Sequence, residues 1–209
     1  MSQPAGATAP GATAPGVTAA PPDIIYIIRH GEKPEDPSSK PHGVDLEGVH
    51  SKHCLLPRGW QRSGALTALF APALGSPQAG LRTPGTLICP SYGGPDKTAE
   101  HRAYQTIQGL AGRLDINIAS PFITGHEAQL AASLVSDYSG VVLICWEHDN
   151  IPAMAGALPA APGTQIPSHW PDDRFDVIWA LSLASSAPVQ YVFHQIPQQL
   201  LSGDSDSVI

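Results

Sequence analysis

Two histidines in this sequence stand where chemistry is done rather than where cores are filled. The apolar, β-branched run DIIYII (Asp23–Ile28) breaks into Arg29-His30-Gly31-Glu32-Lys33-Pro34. The run VVLICW (Val141–Trp146) breaks in the same way into Glu147-His148-Asp149-Asn150. Continuous apolar runs of this kind read as central strands covered on both faces. Ligands of α/β sheets gather beyond the carboxyl ends of such strands, so both imidazoles and the Arg29 guanidinium are delivered to one edge. A single histidine there would simply cap its strand and pack under a loop. Two at equivalent ends, one beside an arginine, point to a site. The chemistry such groups suit is that of an oxyanion, which needs converging cations and N–H donors.

The elements that must position these residues alternate along the chain. Beyond the strands at 23–28 and 141–146, the pattern predicts strands at 86–89, 115–118, 176–181 and 190–195. Helices are expected at 58–70, 99–114, 127–138 and 151–158. This alternation predicts an α/β fold, a three-layer α/β/α sandwich around a mostly parallel sheet. A long polar loop with three prolines spans 34–56 and is a candidate pocket wall, as is the loop 119–125. Residues 1–22 repeat GATAP and are rich in Pro, Ala and Gly, the composition of a disordered tail. The domain itself is expected over 23–201, followed by a flexible polar C-terminus at 202–209.

Composition narrows the function classes. The 209 residues carry a net charge of -7, with only 14% charged residues and no Lys/Arg-rich block. Nucleic acid and anionic membranes are therefore poor partners, and any anion site must be a local concentration of cations. No run has the length of a membrane span, and the N-terminus lacks the basic and apolar regions of a secretory signal. Cys54, Cys89 and Cys145 form no CxxC pair, which argues against a disulfide framework and fits a reducing, cytoplasmic setting. His42, His50, His53 and Cys54 cluster in the long loop, but their spacing fits no standard zinc site. The four tryptophans, Trp60, Trp146, Trp170 and Trp179, read as core or pocket wall rather than as a stacking platform.

The stretch RHGEKP after an apolar strand resembles the signature of the histidine phosphatase superfamily, the phosphoglycerate-mutase-like fold. Three further segments resemble that family and follow in its order: LLPRGWQRSGALTALF, HRAYQTIQGLAGRL and VVLICWEHDNIPAMAGAL. The resemblance covers residues 23–158 and adds Arg102 to the candidates. It implies that Arg29 and Arg102 fork onto phosphoryl oxygens, that neutral His30 attacks phosphorus, and that protonated His148 stabilises the group in transfer. Gly31 would let the backbone approach closely. The substrate-binding set is thus Arg29, Gly31, Arg102 and His148, for a small phosphorylated substrate, with no cofactor or metal expected. Lys97-Thr98 replaces the serine expected before Arg102, and no GxWEG segment is present, which favours a phosphatase over a glycolytic mutase.

The proton donor to the leaving group is less defined. Glu127, at a loop-to-helix junction, is the leading candidate and completes the catalytic set. Asp149 follows His148 as in the acid-phosphatase branch, and Glu147 precedes it. The competing readings of the whole chain are a phosphate-binding or scaffolding module of the same fold without turnover, and an interaction protein that works through its repetitive tail.

Overall fold

The computed structural model describes residues 20–36, 40–93, 98 and 101–209. The tail expected over 1–22 lies outside the described residues up to position 19, and Pro22 already belongs to the first strand. In chain order the elements are β1 (Pro22–Arg29), α1 (Pro57–Phe70), β2 (Thr86–Ile88), α2 (Arg102–Leu114), β3 (Ile118–Ala119), α3 (Glu127–Asp137), β4 (Gly140–Trp146), α4 (Ile151–Ala157), β5 (Val177–Ser186) and β6 (Val189–Pro197). Six strands form one sheet in the order β3-β2-β4-β1-β5-β6. The first four run parallel, and the β5–β6 hairpin adds antiparallel strands on the side of β1.

The two strong apolar runs are neighbours. β1 pairs in parallel with β4, with Arg29 opposite Trp146, and the His30 amide donates to the Trp146 carbonyl at 3.2 Å. Alternation along each strand divides its side chains between two cores. Ile25, Ile27, Val142, Ile144 and Trp146 pack with α3 and α4. Tyr26, Ile28, Val141, Leu143 and Cys145 pack with α1 and α2 on the opposite face. Helices on both faces explain why these strands are apolar throughout, and they make the three layers of the expected sandwich.

Local chemistry sets the ends. α1 begins at Pro57, where proline's missing N–H costs nothing. Asp115 takes a left-handed φ of 55° and stops α2, so the strand expected at 115–118 is reduced to Ile118–Ala119. The polar C-terminus expected to fray is tied down instead. Asp204 forms a bidentate pair with Arg62, the Ser205 amide donates to Asp176, and the Ile209 amide donates to Gln195. Among the described residues, no helix is long and apolar enough to cross a membrane.

Candidate active site

Because β1 and β4 end side by side, His30 and His148 leave the sheet together. Both line a cavity of about 100 Å³, with Arg102, Lys33, Tyr92, His101, Glu147 and Asp149. That is roughly three times the share of one water in the liquid, room for a phosphate-sized ion. His30 is buried at 5% exposure and its Nδ1 lies 2.7 Å from the Gly31 carbonyl. A carbonyl only accepts, so Nδ1 carries the proton and Nε2 keeps its lone pair. Burial, then the Arg102 and Arg29 charges, hold the His30 pKa well below its ordinary value, despite the bond to Gly31. The imidazole is therefore neutral and oriented, as a nucleophile must be.

Arg29 ends β1 on the opposite parity, on the face of Ile25 and Ile27. It meets the segment Pro171–Phe175, which leads into β5. Its Nη1 donates to the carbonyls of Pro171, Asp172 and Arg174. The Phe175 ring lies 3.8 Å from the guanidinium carbon. The side chain is 1% exposed, yet its Nε and Nη2 have no hydrogen-bond partner among the described residues. Burial lowers its pKa to about 10, which leaves it charged at neutral pH. Arg29 was expected to converge on the phosphate pocket with His30, but it is not among the residues that line the cavity at His30.

Arg102 opens α2, and a hydroxyl couples that helix start to the β1 turn. The Gly31 amide donates to Thr106 Oγ1 at 2.8 Å, and Thr106 donates to the Arg102 carbonyl at 2.6 Å. Gly31 was expected to let substrate approach its backbone. Its amide is already used, and a Cβ there would lie 3.1 Å from the Gly59 backbone. The close approach it permits is that of α1. Burial lowers the pKa of Arg102 as well, against the nearby Tyr92 and Glu147.

Glu127 is not brought to this cavity. Its Oε1 accepts from Trp146 Nε1 at 3.0 Å and from the Gly125 amide at 2.9 Å, a brace between α3 and β4 on the face away from His30. Among the described residues, the carboxylates lining the cavity are Glu147 and Asp149. Glu147 accepts from the Tyr92 hydroxyl at 3.2 Å. Asp149 Oδ1 lies 3.4 Å from His148 Nε2. The loop histidines do not converge as ligands: among the described residues the group with metal-like spacing is His148, Asp149 and Asp172.

Asp172 was not singled out by sequence. Its Oδ1 accepts from His148 Nε2 at 2.8 Å, while its own carbonyl holds Arg29. The hydrogen bond from His148 keeps its carboxyl below the ordinary range. One residue thus touches both a histidine and an arginine of the site. Nothing in PDDRF announces this, since its partners lie 24 and 143 positions away.

Glu32, next to the site, is structural. It accepts from Arg58 and Arg62, and Arg62 in turn holds Asp204. That cluster lines a larger cleft of about 800 Å³ beside the small cavity, with Lys33 lining both. Pro34, Glu35, Lys40, Pro41 and Leu56 of the long loop line the cleft, as expected. The loop 119–125 lines neither.

Solved structures similar to this chain include proteins named as phosphatases. Mycobacterial glucosyl-3-phosphoglycerate phosphatase matches in its native form at 16% identity, over 82% of this chain and 96% of that one, with a TM-score of 0.48. The same enzyme complexed with VO3 matches at 15% identity over 82% and 97%, with a TM-score of 0.47. A protein from Agrobacterium tumefaciens assigned as a phosphohistidine phosphatase matches at 17% identity over 83% and 98%, with a TM-score of 0.43. They are members of the histidine phosphatase superfamily, the one whose motifs this sequence resembles. At these identities the likeness concerns fold alone, and function has to be argued from the side chains. No family model and no curated protein matches the sequence.

Proposed function

We propose that the protein is a metal-independent phosphatase that hydrolyses a small phosphorylated substrate through a phosphohistidine on His30. The observation that carries this reading is the cavity of about 100 Å³, in which a buried, neutral His30 lies with Arg102, Lys33 and His148. An anion with several oxygens suits the Arg102 and Lys33 donors of that cavity, and phosphorus at its centre is what His30 Nε2 can attack. Arg102, Arg29 and Lys33 supply the positive field that a metal ion provides in other phosphoryl-transfer sites.

The reaction takes two in-line steps. Nε2 of His30 forms the N–P bond as the ester P–O bond breaks and the leaving oxygen takes a proton. Water then attacks the phosphohistidine, releasing inorganic phosphate and regenerating neutral His30. Asp149 is the donor that this geometry favours, since it lines the cavity and its side chain is 78% exposed at the mouth, where a leaving group departs. The ionised donor then accepts a proton from the attacking water.

The test is turnover of a phosphomonoester panel in the presence of chelator, with inorganic phosphate as competitor. Undiminished activity with chelator, its loss in His30→Ala and slow residual activity in His148→Ala are expected. The transition-state donor is worth about 3–4 kcal/mol, whereas the nucleophile has no substitute. Phosphate binding without turnover would favour the non-catalytic module, and full activity in His30→Ala would end the proposal.

A further inference from the structure

The cleft beside the phosphate cavity has a size and a charge that restrict the substrate. Resting on the phosphatase reading, we infer that the substrate is a singly phosphorylated ester whose leaving group is bulky and carries no second anion. The cleft of about 800 Å³ is far larger than the cavity of about 100 Å³ that it adjoins. It has the volume of a site for a drug-sized ligand. The two meet at shared residues. Lys33 lines both, Asp172 of the cleft reaches His148, and Phe175 of the cleft stacks on Arg29 and stands 6.3 Å from the His30 ring.

The cleft's charges sort into two groups. Arg58 and Arg62 are already matched by Glu32 and Asp204, and Asp176 by Arg174. None of these cations is left to meet a second anionic group. The side chains outside that network are Lys33, Lys40, Glu35, Asp172 and Asp173. Lys33 also faces the phosphate cavity, so its ammonium serves the phosphoryl group. Lys40 alone then opposes three carboxylates. Asp172 is engaged with His148, which leaves Glu35 and Asp173 exposed along the path of the leaving group. A second phosphate or a carboxylate would sit against these groups, whereas an uncharged or cationic substituent would not. Pro34, Pro41, Leu56 and Phe175 add apolar wall for a bulky body.

The experiment compares four esters on the wild-type protein: phenyl phosphate, and biphenyl-4-yl phosphates bearing 4′-methyl, 4′-aminomethyl or 4′-carboxylate. The 4′ substituent is remote from the ester, so chemical reactivity is nearly constant. The biphenyl methyl ester is expected to exceed phenyl phosphate in kcat/KM by about tenfold through the extra buried ring. The aminomethyl ester should match or exceed it. The carboxylate should fall about fivefold or more below it at low salt, and salt should narrow the gap. Asp173→Asn combined with Glu35→Gln should shrink the carboxylate penalty. Equal rates for phenyl and biphenyl, preference for the carboxylate, or an unchanged penalty in the double variant would overturn the inference. The matched non-hydrolysable phosphonates, titrated by calorimetry, separate the two claims. Their affinity order tests the cleft even if no ester turns over, in which case only the phosphatase reading falls. Binding of none of them overturns both.

Discussion

His30 owes its tautomer to a single backbone oxygen. The Gly31 carbonyl fixes the proton on Nδ1, and burial among cations keeps the ring neutral. Arg29 is held by three carbonyls and a phenyl ring, and its remaining donors are buried without a partner among the described residues. The positions of Arg29, His30 and His148 at or just beyond strand ends were legible in the sequence, and so was that of Arg102 at a helix start. Asp172 and Phe175 were not, because backbone carbonyls and a loop carboxylate have no pattern and their partners are distant in the chain. Glu127 was misplaced for a reason of parity. It hydrogen-bonds Trp146, whose side chain belongs to the α3 and α4 face, while the His30 side chain follows Tyr26 and Ile28. Asp149→Asn should therefore slow esters with poor leaving groups far more than activated aryl phosphates, which depart without protonation. Glu127→Gln should act alike on both classes and lower the melting temperature, since its brace on Trp146 is weakened. Leaving-group dependence measured in Glu127→Gln, and absent in Asp149→Asn, would return the acid role to Glu127.

At the scale of elements, the site is a junction of two strand ends, two helix starts and one strap. β1 and β4 are placed by their pairing, and their apolar runs made that pairing readable. The strap Pro171–Phe175 was invisible as an element because it has neither periodicity nor a breaker pattern, only a hydrogen-bonding role. α1 is set against the β1 turn by two glycines. A Cβ on Gly59 would lie 2.7 Å from the Glu32 carbonyl and 3.0 Å from its amide, both backbone atoms that cannot yield alone. Gly59→Ala should therefore push α1 off the turn that carries His30, at a cost of about 1–3 kcal/mol. Thermal unfolding should show the loss, and kcat should fall with it although Gly59 touches no substrate. Gly64→Ala on the same helix, where a Cβ meets nothing within 4 Å, is the control and should leave kcat unchanged while raising the melting temperature slightly through helix propensity.

At the scale of the molecule, the C-terminus closes the sheet edge on which the site stands. Arg62, buried in α1, joins Glu32 behind the site to Asp204 near the end of the chain. Burial would raise the Asp204 carboxyl, but hydrogen bonds from Arg62 and from the Leu201 and Leu200 amides outweigh it and bring the pKa to about 2. The ordinary value is 3.8, so the unfolded chain binds this proton first. Stability from this group is complete above that value and is lost as pH falls through about 2. Denaturant titrations across that window should show a decline that Asp204→Asn reduces, while the variant is less stable at neutral pH. An identical acid decline in wild type and variant would refute the assignment. The sandwich was legible in the strand and helix alternation, but this clamp was not, because the tail's polarity read as fraying. The central claim, that this architecture makes His30 a phosphoryl acceptor, is tested most directly by trapping the intermediate. The protein is mixed with an activated aryl phosphate, quenched in alkali, and its intact mass and peptides are measured. The account predicts one added phosphoryl group on His30, stable in alkali, lost in acid and absent from His30→Ala; turnover with no phosphoprotein, or with the group on another residue, would contradict it.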